Sequence, residues 1–205
     1  MRILVVGGTR FIGPFVVRRL VENGHDVTVL HRGRSEPELP PSVRHLHHPG
    51  AGFGQRAALG EIRDEVARLA PEVVVDMVPL TEGDARALGD LCRGVAARLV
   101  AVSSQDVYLA YDVLRGKETC PPVPVPIDEA SPLRTTLHPY RSETPPAAGE
   151  PPRLLDDDDK ILVERIVLGD PVLPGTVLRL PMVYGPGDYQ HRVHPYPKRR
   201  EDRRP

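Results

Sequence analysis

A chain of 205 residues with a formal net charge of −1 and 40% apolar residues has material for a core of its own and no global attraction to nucleic acid or an anionic membrane. Its apolar runs fall far short of the roughly 20 residues of a membrane span, and no basic stretch leads into a short apolar one. Two widely separated cysteines, Cys92 and Cys120, do not make a disulfide framework, so a soluble cytoplasmic protein is expected.

Residues 2–6, RILVV, are short, apolar and β-branched and end at Gly7-Gly8, which predicts a buried strand. Residues 11–23 carry a helical period, with Ile12, Phe15, Val16 and Leu20 on one face and Gly24 as the stop. Strands are predicted at 26–30 and 43–47, then a helix at 56–69 with Ile62, Val66 and Leu69 in a stripe. EVVVDMV, residues 72–78, reads as a strand. The helix at 81–95 has Thr81 as its cap, with Asp84 in the acidic place of a capping box. A strand at 98–103, a helix at 160–168 and a strand at 176–180 follow.

Apolar strands without alternation are buried on both faces, which implies a parallel sheet. Strands alternating with helices through right-handed crossovers then give a doubly wound α/β sheet, a Rossmann fold, in the order 3-2-1-4-5-6. Of the 24 prolines, many fall between 117 and 152. That segment fits neither a long helix nor a central strand and is expected to cross the carboxyl edge of the sheet. The α/β domain is placed at 1–188, with 189–205 as a charged, Pro-rich tail.

GGTRFIG, residues 7–13, joins the first strand to the first helix. A glycine loop there turns backbone N–H groups and a helix N-terminus toward a phosphate. Gly7 suits the tight turn and Gly13 the close helix–sheet approach, but Arg10 stands where the middle glycine belongs. His45 and His47 share a strand face and His48 follows, but no third ligand of a known motif accompanies them, so no metal site is expected.

GGTRFIG, VSSQDVY (102–108) and LRLPMVYGPGD (178–188) together resemble the extended short-chain dehydrogenase/reductases, the NAD-dependent epimerase/dehydratase group. The loop variant is similar to an atypical branch that includes plastid RNA-binding members. The resemblance runs from Met1 to about Asp188. It implies hydride transfer between a nicotinamide and a nucleotide-sugar-like or small carbonyl substrate. It assigns Gly7, Thr9, Arg10, Phe11, Ile12, Gly13, Arg32, Lys160 and Pro181 to the dinucleotide. Ser104 matches the serine that orients the substrate oxygen, and Lys160 the lysine that holds the ribose and tunes a tyrosine four residues before it.

That tyrosine is absent. Asp156 holds its place, and 156–159 reads DDDD, taken as an acidic helix start on the surface whose charges repel one another. Tyr111 and Tyr140 lack a lysine four residues on. Arg32 stands near the place of the acid that bonds an NAD ribose. In related reductases a basic loop residue pairs with one after the second strand on a 2′-phosphate, so Arg10 and Arg32 imply NADP, with NAD as the alternative. Expected partners are the dinucleotide and a small-molecule substrate, with no membrane and no nucleic acid. Against the resemblance, the chain is expected to be a fragment, a truncated reading frame or a natural minimal form, with the family's substrate domain largely absent after 188. Exposure of Val107, Val183 and Tyr184 and self-association are therefore expected. Two functions stay open: an oxidoreductase or epimerase impaired by the missing tyrosine, or a non-catalytic dinucleotide-binding sensor, scaffold or RNA-binding relative.

Overall fold

The apolar runs pair side by side as parallel strands. In the computed structural model, which describes residues 1–52, 54–121, 123–142, 144, 153, 155–193, 198 and 201, the strands are β1 (Arg2–Val6), β2 (Asp26–His31), β3 (Arg44–His47), β4 (Val73–Asp76), β5 (Arg98–Ser104) and β6 (Gly175–Leu180). They form one sheet in the order β3-β2-β1-β4-β5-β6, every pairing parallel, as the alternation of elements predicts. Neighbours β1 and β4 flank the point where the order reverses, which is where ligands bind in sheets of this kind.

Helices α1 (Gly13–Glu22), α2 (Arg63–Leu69), α3 (Glu82–Cys92), α4 (Leu109–Leu114) and α5 (Lys160–Leu168) complete the described elements. Val17 of α1 packs with Ile3, Val5, Val27 and Val29 on one face of the sheet. Leu4, Val6 and Leu30 pack with Val66, Leu88, Leu91, Val163 and Val167 on the other. Farther along the α1 face the cover thins: Val100 and Val102 are half-buried and Leu178 is 46% exposed.

Two helices differ most from the sequence pattern, and one helix and one turn lie outside it. Helix α1 starts at Gly13 rather than at 11, because Phe11 takes φ 49°, outside the helical region. The stretch 56–69 divides into a 3₁₀ turn, Arg56–Ile62, and α2. Arg56 is drawn into the interior, where its guanidinium clasps both carboxylate oxygens of Asp76 at the end of β4 and also donates to the Val78 carbonyl at 3.1 Å. Neither α4 nor the three-residue turn Gln105–Val107 is long enough to write a period into the sequence.

Thr81 does cap α3, its Oγ1 accepting from the Asp84 amide at 3.0 Å, but the Asp84 carboxylate accepts from the Gly54 amide and so ties α3 to the loop before the 3₁₀ turn. Val107, expected at an exposed edge, is fully buried in a cluster with Tyr108 and Ile161. Val183 is half-buried and Tyr184 is 62% exposed. The Pro-rich segment does run along the carboxyl edge: Leu133 bridges Tyr108, and the Arg134 amide donates to the Val107 carbonyl. Residues 145–152 of it, and 194–197, 199–200 and 202–205 of the tail, lie outside the described residues.

Arg56 and Asp76 are both almost fully buried, so each depends on the other for its charge. Asp76→Ala leaves a buried guanidinium uncompensated and is expected to cost about 3–5 kcal/mol, read by urea unfolding. Replacing both residues, Arg56→Met with Asp76→Leu, is expected to restore most of that loss. A single-variant loss below about 1 kcal/mol would contradict the reading.

Candidate functional site

The loop after β1 is shaped by close contacts. Gly7 has φ +81°, and a Cβ there would lie 2.3 Å from Val78 Cγ2 in the loop after β4. A Cβ on Gly13 would meet the Gly8 backbone at 2.6 Å, so α1 begins hard against the loop. No side chain caps α1 at Ile12, which leaves its first turn open to a ligand.

Gly7, Thr9, Arg10, Phe11, Ile12 and Arg32 line one cavity of about 530 Å³ at the carboxyl ends of β1 and β2, with Met77 and Val78 as its other wall. Arg32 crosses Gly52 so closely that a Cβ there would stand 2.7 Å from Arg32 Cδ. Burial, then the charges of Arg34 and Arg10, lower the pKa of Arg32, which stays protonated all the same. Three guanidinium groups thus crowd one mouth. The turn at 185–192 closes over the loop. Asp188 accepts from the amides of Gln190 and Arg192 and from the Arg192 guanidinium, and that guanidinium sits 5.4 Å from the centre of the Phe11 ring.

Lys160 lies beyond the cavity's far wall. Its Nζ donates to the carbonyl of Pro79, next to Val78. Burial lowers its pKa, and the carboxylates of Asp158, Asp76 and Asp106 oppose the shift. Asp159 is the cap of α5. Its Oδ1 accepts from the Ile161 amide at 3.0 Å and from Arg134 at 2.7 Å, and its Oδ2 accepts from the His138 amide at 2.7 Å. Burial works to raise the pKa of Asp159, yet the His138 amide and the Arg134 guanidinium hold it below the ordinary carboxylate value.

The acidic run is therefore not a surface helix start. Asp159 and Asp158 are buried, and Asp157 is exposed and pairs with Arg141. Asp156 lies in the turn before the helix, where its Oδ1 accepts from the Ser142 amide. It shares no helical face with Lys160. The acid whose charge acts most on Lys160 is Asp158, with its own pKa pushed up to about 6, chiefly by burial.

Ser104 ends β5, and its Oγ accepts from the Asp106 amide at 3.2 Å, capping the turn Gln105–Val107. Asp106, in that turn, accepts from the Tyr140 hydroxyl at 2.6 Å. Burial and this bond push the Tyr140 phenol far up. The sequence reading set Tyr140 aside for want of a lysine four residues on, and the fold brings it to Asp106 instead. Pro181 lines a different cavity, of about 810 Å³, beside β6 and α4.

The histidines divide. His48 Nδ1 accepts from the Gly50 amide at 3.1 Å and caps the turn Pro49–Ala51. His45 and His47 meet His31 of β2, which is buried. Burial, with the neighbouring His47 and His45, lowers the pKa of His31 to about 4.

Residues 3–130 match the model of the NAD dependent epimerase/dehydratase family. Over 34 residues, 17% of this chain and 9% of the other, the sequence is 59% identical to the chloroplast stem-loop binding protein of 41 kDa b of Arabidopsis thaliana. The Bordetella bronchiseptica enzyme WbmG, solved in complex with NAD, superposes with a TM-score of 0.65 at 18% identity, over 100% of this chain and 60% of its own. TunA, an NAD dependent NDP-hexosamine 5,6-dehydratase, superposes with a TM-score of 0.58 at 24% identity, over 93% of this chain and 57% of its own. The chain thus spans less than two thirds of either enzyme.

Asp158 yields a pH prediction. A carboxyl whose folded pKa is raised favours folding when protonated. Its contribution is full below about 4, the unfolded value, and is lost as pH rises through about 6. Asp158→Asn should match the parent at pH 4 and exceed its stability by about 2–3 kcal/mol at pH 7. Urea unfolding at both pH values reads the difference, and a variant less stable at pH 7 than at pH 4, relative to the parent, would contradict it.

Proposed function

The chain belongs to the NAD dependent epimerase/dehydratase family, and on that premise we propose that it binds a nicotinamide dinucleotide, NADP(H) in preference to NAD(H), and acts as an epimerase- or reductase-like protein on a nucleotide-sugar-like or small carbonyl substrate. The observation that carries this reading is the cavity at the ends of β1 and β2, with an open helix N-terminus on one side and Arg10, Arg32 and Arg34 on the other. A tight turn whose packing against Val78 and Gly8 admits no Cβ at Gly7 or Gly13, beside crowded arginines, fits a pyrophosphate and a 2′-phosphate.

The nicotinamide, when bound, supplies hydride transfer. The chain's residues bind, orient and hold protons. The amides of 8–12 would take the pyrophosphate at the start of α1, those of Gly7 and Gly13 being bonded to the Leu30 and Arg10 carbonyls, and Arg10 and Arg32 would grip the 2′-phosphate as planar forks. Lys160, which donates to the Pro79 carbonyl, would hold the ribose and keep positive charge at the reacting end. Ser104 would orient the substrate oxygen through its hydroxyl proton, one of its two lone pairs being engaged with the Asp106 amide. Asp158, half-protonated near pH 6, is the proton-holding group beside Lys160.

A second reading, dinucleotide binding without turnover, draws on the turn before α5, where among the described residues Asp156 stands four positions before Lys160 in place of a tyrosine. NADPH oxidation by a carbonyl substrate, abolished in Lys160→Ala, would decide for catalysis. Retained NADPH binding with no turnover would decide for the second reading.

Calorimetric titration tests the cofactor. NADPH is expected to bind more tightly than NADH, and Arg10→Ala or Arg32→Ala to weaken NADPH about tenfold or more, since each charge-assisted bond contributes about 1.5–3 kcal/mol. NADH should change little. Equal affinities for the two dinucleotides in the parent chain would contradict the proposal.

A further inference from the structure

The carboxyl ends of β2 and β3 carry three imidazoles to which the proposed dinucleotide contacts give no role, although one of them, His31, lines the same cavity. In the parallel register His31 of β2 stands opposite His47 of β3, and His45, two residues before His47, projects to the same face. One ring nitrogen from each of the three lies within 4.8 Å of the other two. His31 Nε2 is 2.9 Å from His45 Nδ1, and the His31 ring meets the His47 ring edge-on at 4.4 Å between centroids. The geometry points to a divalent transition-metal site formed by His31, His45 and His47, of the imidazole-preferring class that takes zinc, nickel or copper.

Metal–nitrogen bonds of about 2.0–2.1 Å set ligand nitrogens roughly 3–3.4 Å apart. The His31–His45 pair is already near that separation, and His45 and His47 are exposed, so their rings have room to turn while the strands hold their backbones. His31 is the fixed member. It is 3% exposed, and its Nδ1 accepts from the Gly33 amide at 3.3 Å, which aims Nε2 at His45. Metal at Nε2 moves the ring proton to Nδ1, at the expense of that long amide bond.

Glu36 completes the surroundings. Its Oε1 lies 2.9 Å from His47 Nε2, a carboxylate partner of the kind that orients metal-bound imidazoles. Its negative charge also offsets Arg32 and Arg34, which would otherwise oppose a cation here. Three imidazoles and a carboxylate, with no thiolate, suit borderline metals rather than magnesium or calcium. One imidazole alone would be an ordinary packed side chain. Three that converge from two strands, with an acid behind one of them, make a chelate.

The test is calorimetric titration of the full chain, stripped of metal with a chelator and dialysed, with Zn²⁺ alone, followed by Co²⁺ with visible absorption to read the ligand field. One equivalent is expected to bind at micromolar concentration or below. His45→Gln and His47→Gln, at exposed positions where the fold survives, are each expected to weaken binding roughly tenfold or more, an effect at least as large as losing a supporting partner. His25→Gln, a histidine away from the cluster, should bind as the parent does. No saturable binding, binding untouched by both cluster variants, or equal weakening by His25→Gln would overturn the assignment.

Discussion

The ion pair between Arg134 and Asp159, with both side chains fully buried, is the constraint on which the reacting end of the site depends. Removing two charges from water is costly, and their attraction offsets the cost only when every remaining donor and acceptor is met. Here they largely are. Arg134 also donates to the carbonyls of Asp106 and Thr136, and Asp159 also accepts from the amides of His138 and Ile161. The pair therefore joins the Pro-rich segment, the turn after β5 and the first turn of α5. It sets where α5 begins, and so where Lys160 emerges.

From that anchor the charges sort into two zones. At the outer end of the sheet, Arg10, Arg32 and Arg34 gather cationic charge where the phosphates of a dinucleotide are proposed to lie. At the inner end, Asp76, Asp106 and Asp158 surround Lys160 and keep the neighbourhood near balance. Arg56 links the zones, holding Asp76 while bonding to the Val78 carbonyl, between the cavity wall and the lysine's perch on Pro79. Met77 and Val78 are thus pinned from behind by a buried ion pair, and Gly7 in turn must be bare to lie against Val78.

Elements that write a period or an apolar run into the chain were legible from it. The six strands and their order followed from RILVV, EVVVDMV and RLVAVS, and the cap at Thr81 from its spacing to Asp84. Gly7, Thr9, Arg10, Phe11, Ile12 and Arg32, singled out from the loop motif and the family resemblance, do line one cavity in the fold. What stayed hidden depends on distant partners. Nothing near Arg56 announces Asp76, 20 residues on. DDDD looks like a solvated run until Arg134 and the His138 amide claim Asp159. Val107 looked like an edge residue because its cover, Ile161, arrives 54 positions later in the chain. The sequence did not group His31 with His45 and His47, because strand register, not spacing, sets His31 against His47. The single signal available was a histidine just past the predicted strand 26–30 and another at the end of the predicted strand 43–47.

The central claim is that one dinucleotide spans both zones. A crystal structure of the chain grown with NADP⁺ tests it most directly. The account predicts the 2′-phosphate between Arg10 and Arg32, the pyrophosphate over 7–13 at the start of α1, and Lys160 moved from Pro79 to the nicotinamide ribose. A dinucleotide bound elsewhere, or one whose nicotinamide half leaves Lys160 on Pro79, would contradict it.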